Sequence, residues 1–353
     1  MGRDDRGPDA EDRPSAPALC RAGAARLRAG GPARLSRAIG DDTTPGTADG
    51  PPLSFPATPG VTFRLPCRLP YDWAAIRAFL VKRAIPGVEA ADPGGRAYAR
   101  TVSLAGRPGI LAVEPGGDGL RVALYGLDPG CAREVAERLR RLFDCDADPA
   151  AIAACLSGEP ALAGLVAQRP GLRLPGAWDP FETACRAILG QQVSVAAAIR
   201  LAGRLVAAFG TRLAEPVGGL THVFPAPAAL VEADVSLALN MPRSRGAAIQ
   251  AMAAAALADP DLFAPAATLE AAVLRFTAIR GIGPWTAQYI AMRALKLPDA
   301  LPVGDVGLLR ALDVGAGRPS PAALLARAEA WRPYRAYAAQ HLWTADEAAA
   351  RTW

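Results

Sequence analysis

Near residue 146 the hydrophobic pattern of this chain changes period, which limits the fold to two kinds of element in series. Upstream, residues 61–68 alternate apolar and polar side chains, and residues 98–104, 109–114 and 120–125 read as further strands. Turn residues, including Gly116 and Gly117, separate them. Residues 72–83 have helical spacing, with Trp73, Ile76, Phe79 and Leu80 on one face, and residues 129–143 read as a second helix. Few gaps between strands are long enough for parallel crossovers, so the sheet is expected to be antiparallel with helices on one side. Downstream the strand signals vanish. Helices are expected from 179 to 189, from Ser194 to 210, and over 244–257, 268–278, 305–313, 321–331 and 335–345. Asp179-Pro180-Phe181-Glu182 is a helix start, with Asp at the N-cap, Pro at N1 and Glu at N3. The expected class is α+β: an antiparallel-sheet domain over 59–146, then an all-α domain over 147–353. Residues 1–58, rich in Arg, Asp, Gly, Pro and Ala, read as a disordered tail with one short helical stretch at 21–28.

Composition narrows the chemistry. A net charge of +5 permits a polyanionic partner. The six cysteines (Cys20, Cys67, Cys131, Cys145, Cys155, Cys185) form no C-x-x-C pair, so neither zinc nor an iron–sulfur cluster is expected. Two histidines, His222 and His341, are too few for histidine-based metal or triad chemistry. Lysine occurs only at Lys82 and Lys296, which leaves few Schiff-base nucleophiles. No apolar run reaches the ~18 residues a membrane helix needs, and no signal peptide is visible. A cytoplasmic, nucleoid-associated bacterial protein with no membrane partner is the expectation.

Two strings carry most of the information. In Ile279-Arg280-Gly281-Ile282-Gly283-Pro284-Trp285-Thr286-Ala287, two glycines allow a tight turn and Pro284 suits the first position of a helix. Such a turn points unpaired backbone N–H groups outward beside a positive helix end, which suits a DNA phosphate. The ordinary alternative is a corner in a helix bundle. The second string, Leu301-Pro302-Val303-Gly304-Asp305-Val306-Gly307, ends on an aspartate where an N-cap belongs. A carboxylate there is kept ionised by the helix end and can oppose positive charge developing on a sugar. Trp285 and Tyr289, four apart, share a helix face.

Together the strings resemble the helix-hairpin-helix base-excision glycosylases, and within them the DNA-3-methyladenine glycosylase II (AlkA) type. Leu69-Pro70-Tyr71-Asp72-Trp73, Pro170-Gly171-Leu172-Arg173-Leu174-Pro175-Gly176, Ala187-Ile188-Leu189-Gly190-Gln191-Gln192-Val193-Ser194 and Trp331-Arg332-Pro333-Tyr334-Arg335 extend the likeness over residues 63–348. The resemblance implies a TATA-binding-protein-like sheet domain and a helical domain with the active site in a cleft. It implies hydrolysis of alkylated purines from double-stranded DNA by a monomer, with Asp305 catalytic. It also implies a base pocket of Trp285, Tyr289, Trp343 and Phe79. DNA contacts are implied at Arg280, Gly281, Ile282, Gly283, Gln191, Gln192 and Ser194. A sodium or potassium ion is implied at the carbonyls of Thr277, Ile279 and Ile282. Trp285 stands where strand-cutting relatives place a lysine, so no lyase activity is expected. Gln192 stands where the AlkA type inserts an apolar wedge. Residues 1–58 are too short for the methyl-acceptor and regulatory module of longer relatives. Excision of deaminated or oxidised bases, a non-catalytic binder of DNA damage, and a regulator of an alkylation response are the rival readings.

Overall fold

The computed structural model describes Phe55 and residues 59–92, 94–313 and 317–349. Apart from Phe55, the expected tail at 1–58 lies outside the described residues. Five strands, β1 (Val61–Pro66), β2 (Glu89–Ala91), β3 (Tyr98–Leu104), β4 (Arg107–Gly116) and β5 (Gly119–Tyr125), form a sheet in the order β1-β5-β4-β3-β2. Every pairing is antiparallel. Helices α1 (Trp73–Lys82) and α2 (Ala132–Leu142) cover one face, as alternation along β3 requires. Tyr98, Val102 and Leu104 point into that core with Ile76, Leu80, Val135 and Leu139, while Ala99 faces the other way. The expected helix at 129–143 begins as a single 3-10 turn, Pro129–Cys131.

The helical region comprises α3 (Pro149–Leu156), α4 (Pro160–Gln168), α5 (Pro180–Leu189) and α6 (Val195–Phe209). After a hairpin come α7 (Pro227–Leu230), α8 (Val235–Leu239), α9 (Arg243–Ala258), α10 (Leu269–Thr277) and α11 (Pro284–Arg293). The last three are α12 (Val306–Ala311), α13 (Pro321–Ala328) and α14 (Arg335–Ala349). Side chains cap many starts: Asp148, Glu159, Asp179, Ser194, Thr268 and Ser320 each accept a backbone N–H of their own helix.

Strand signals do not in fact end at 146. The hairpin β6 (Thr211–Val217) and β7 (Leu220–Val223) lies between α6 and α7. It packs Leu213, Leu220 and Val223 against Ala99 and Ile110, on the sheet face the helices leave open. Thr101 Oγ1 donates to the His222 carbonyl across that contact at 2.7 Å. The sheet is therefore covered on both faces, by helices on one and by a hairpin from the helical region on the other.

Candidate active site

The hairpin forms between α10 and α11. Ile282 is buried and pins the turn to the core, while Arg280, Gly281, Gly283 and Pro284 are exposed. Gly281 has φ +87°, and a Cβ there would come within 2.5 Å of the Ala248 Cβ on α9. Glycine is required twice over, for conformation and for contact. Gly283 differs, since a Cβ on it would meet nothing within 4 Å. Gly283 is the N-cap of α11 and supplies no capping side chain. The hairpin thus turns an uncapped helix start to the surface, a site suited to an anion.

Asp305 both caps a helix and faces the cleft. Its Oδ1 accepts the Leu308 N–H at 3.1 Å at the start of α12, as an N-cap does. The same oxygen accepts the indole N–H of Trp343 at 2.8 Å, and Oδ2 accepts that of Trp285 at 3.3 Å. Gly307 makes room for this: a Cβ there would lie 3.2 Å from Trp343 Cδ1. Trp285 and Tyr289 stack with centroids 5.3 Å apart and planes at 10°, and Trp343 stands 6.4 Å from Tyr289. These groups line a cleft of about 680 Å³ between the sheet region and the helices. Three N–H donors from three helices therefore aim one carboxylate into an aromatic hollow.

Phe79 also lines the cleft, but it is buried. The Arg83 guanidinium lies 3.9 Å from its ring centroid and that of Arg293 4.5 Å. Arg293 also reaches the Tyr289 hydroxyl at 3.0 Å and donates to the carbonyls of Pro175 and Gly176. Burial pushes its guanidinium below its ordinary value. Resident cations thus already occupy part of the pocket's aromatic surface. Sequence reasoning passed over Arg293, although it continues the face of Trp285 and Tyr289 one turn further along α11.

Also missed was a set of charges in the cleft wall that joins sheet to helices. Glu182 on α5 accepts from Arg100 on β3 at 2.6 Å and from Arg186 at 2.7 Å. Arg186 pairs in turn with Glu89 on β2, which also accepts the Tyr98 hydroxyl at 2.6 Å. Burial pushes the Glu182 carboxyl up, but Arg100 and Arg186 outweigh it and hold it below its ordinary value. Only half of the expected capping box forms. Asp179 accepts the Glu182 N–H at 3.0 Å, but the Glu182 side chain turns to the arginines. A buried guanidinium, Arg100, and a half-buried one, Arg186, need that carboxylate more than one backbone N–H does.

The other sequence-predicted residues cluster around the turn after α5. Ser194 caps α6 through the Ala197 N–H and lines the cleft. Gln192 is exposed, with φ +54°. Gln191 points back into the protein, its amide bonded to the hairpin. Among the described residues no group of three His, Cys, Asp or Glu could hold a metal ion. Nor is any described helix long and apolar enough to cross a membrane.

Residues 62–179 match the AlkA N-terminal domain family. The chain is 36% identical to the DNA-3-methyladenine glycosylase 2 of Escherichia coli (strain K12) over 281 residues, 78% of this chain and 94% of that protein. It is 41% identical over 295 residues to the "Probable bifunctional transcriptional activator/DNA repair enzyme AlkA" of Mycobacterium tuberculosis (strain H37Rv), of whose length it spans 58%. Among solved structures it resembles the 3-methyladenine DNA-glycosylase from Archaeoglobus fulgidus. That match has a TM-score of 0.70 at 21% identity and covers 81% of this chain and 98% of that one, a likeness of fold. With the identity to the Escherichia coli protein sustained over nearly all of that protein's length, the chain belongs to the AlkA family of DNA-3-methyladenine glycosylases.

Proposed function

We propose that this chain is a monofunctional DNA glycosylase that hydrolyses the N-glycosidic bond of alkylated purines in double-stranded DNA, acting as a monomer. The observation that carries the reading is the Asp305 carboxylate, aimed by two indole N–H groups into an aromatic cleft beside an exposed hairpin. A base inside a duplex must be turned out before its glycosidic bond can be reached. As that bond breaks, the electron pair leaves with the base and positive charge builds on the sugar. The fixed negative charge of Asp305 opposes it. The same carboxylate can accept a proton from the water that adds to the sugar. An N-alkylated purine carries a positive charge that the departing pair neutralises, so the base leaves without a general acid. The faces of Trp285 and Tyr289 attract such a base by roughly 1–2 kcal/mol once water is excluded.

Strand cleavage needs an amine that can form a Schiff base. Lys296 is tied to Asp144 at 2.8 Å and to the Leu174 carbonyl at 2.6 Å, and Lys82 pairs with Glu347 at 3.1 Å. Both amines are held in ion pairs, which supports the reading without strand cleavage. The turn Ile279–Ile282 offers oxygen acceptors, which suit a sodium or potassium ion at the carbonyls of Thr277, Ile279 and Ile282. The Ile279 carbonyl already accepts the Ile282 N–H at 3.1 Å and would keep one lone pair for it. One observation favours a second reading, excision of neutral deaminated purines: Arg83 and Arg293 place two cations beside Phe79.

The test is chromatographic identification of bases released from methylated and from hypoxanthine-containing duplexes by the wild type and by Asp305→Asn. The wild type is expected to release methylated purines. The variant keeps shape but loses charge, and its single-turnover rate should fall by at least about a hundredfold with DNA binding largely kept. A variant within a few-fold of wild type rejects Asp305 as the essential group.

A further inference from the structure

The turn after α5 is bound to the hairpin by one side chain. Gln191 Nε2 donates to the Gly281 carbonyl at 3.1 Å and to Thr286 Oγ1 at 3.1 Å. Both of its protons are therefore committed, one to the hairpin turn and one to the first turn of α11. The main-chain carbonyl of Gln191 accepts from Arg245 Nη2 at 2.7 Å, on the same α9 that Gly281 packs against at Ala248. The Gln191 N–H closes α5 on the Ile188 carbonyl at 3.2 Å. The next residue, Gln192, is exposed at φ +54°, which a residue with a Cβ keeps only when its surroundings impose it.

We propose that Gln191 is a positioning residue that fixes the distance and orientation between the hairpin and the Gln192 turn. This rests on the glycosylase reading, in which the hairpin holds a backbone phosphate and Gln192 enters the space left by a flipped nucleotide. The DNA backbone sets the separation of those two points, so the protein must hold its two contacts in matching register. An error of about 1 Å in such placement is enough to cost two orders of magnitude in rate. The chemistry selects an amide for the task. The Gly281 carbonyl can only accept, so the clamp must donate to it, and a second N–H on the same planar nitrogen serves Thr286. A carboxylate would face the Gly281 carbonyl with another acceptor. An aliphatic side chain would leave both partners without this donor.

The experiment uses Gln191→Met, which keeps length and packing but has no donor, together with Thr286→Val and the double variant. Affinity is measured at one fixed salt concentration for a duplex carrying a tetrahydrofuran abasic-site analogue and for the same duplex undamaged. Single-turnover release of methylated bases and thermal unfolding are followed in parallel. Gln191→Met is expected to bind the abasic analogue about tenfold more weakly, with release slowed to match, because a turn no longer held to the hairpin must be ordered on binding. Affinity for the undamaged duplex, where nothing is flipped, should stay within about twofold, because the hairpin itself is intact. Thr286→Val should show a smaller loss of the same kind, and the double variant should be no worse than Gln191→Met. Unchanged affinity for the abasic analogue, equal losses on both duplexes, or additive losses in the double variant would each overturn the proposal. Should Gln191→Met unfold under assay conditions, Thr286→Val decides by the same comparison of duplexes. A wild type that releases no base sinks the glycosylase reading instead, and the binding comparison still judges Gln191 by itself.

Discussion

Because Oδ1 and Oδ2 of Asp305 answer to different indoles, the two tryptophans can be separated by experiment. The Trp343 bond is 2.8 Å and the Trp285 bond 3.3 Å, so the first restrains the carboxylate more tightly. Trp343→Phe keeps an aromatic ring but deletes the indole N–H together with part of the ring system. A hydrogen bond to a charged group is worth roughly 1.5–3 kcal/mol. The single-turnover rate should therefore fall about ten- to a hundredfold in Trp343→Phe, and less in Trp285→Phe, with KM little changed in both. The reverse order would mean that the shorter contact does not restrain the reacting carboxylate. At this scale the sequence was informative about identity and silent about occupancy. Asp305, Trp285, Tyr289 and Trp343 could be named from motif position, and all four do meet at one cleft. That Arg293 would crowd Phe79 could not be foreseen, because α1 and α11 approach each other only in the folded chain, whereas Arg83, four residues after Phe79, lies within local reach of its ring.

The hairpin is one element whose two glycines have different jobs, and substitution tells them apart. Gly281→Ala forces a Cβ into a left-handed backbone and against Ala248, which together should cost roughly 2–4 kcal/mol of stability. Gly283→Ala meets open space at an ordinary φ of −87°, so stability should be nearly unchanged. If the hairpin holds a phosphate as proposed, its methyl would project into that approach and weaken binding to damaged and undamaged duplexes alike. Urea unfolding with fluorescence anisotropy checks both, and a Gly283→Ala protein that binds DNA as the wild type does would remove the hairpin from the interface. Helix starts were legible because caps act locally: Asp179-Pro180 was read, and Asp148-Pro149 and Glu159-Pro160 carry the same acid–proline signature at α3 and α4. The β6–β7 hairpin was not, since most side chains along β6 are exposed and leave no alternation to detect. Its stability comes from packing on a distant sheet, which local pattern does not report.

For the molecule as a whole, the sheet and the helical region are joined by charges that are far apart in sequence and buried together in space. Arg100 and Glu182 are both almost fully buried, and no periodicity in either segment hints at the pairing. Such a pair is costly to bury and costlier to break, so it fixes how the two regions meet more than it adds net stability. A second buried group gives the whole molecule a pH dependence that can be isolated. His341 on α14 is buried, and its desolvation, aided by the charge of Arg169, pushes its pKa down to about 4. In the unfolded chain an ordinary histidine titrates near about 6.5. Between those values the unfolded chain takes up a proton that the folded chain refuses, so stability rises with pH across this window. The contribution is fully present above pH ~6.5 and is lost progressively as pH falls to about 4. Its full size is roughly 3 kcal/mol, a large share of the 5–15 kcal/mol typical of a folded domain. Carboxylates held below their ordinary values, Glu182 and Glu347 among them, also weaken the fold in acid. A difference measurement cancels them. Urea midpoints for the wild type and His341→Phe, taken from pH 7.5 to pH 4.5, should show the variant losing less stability over that range. A difference between the two proteins that stays constant with pH would mean that His341 is protonated as readily in the folded chain as in the unfolded one.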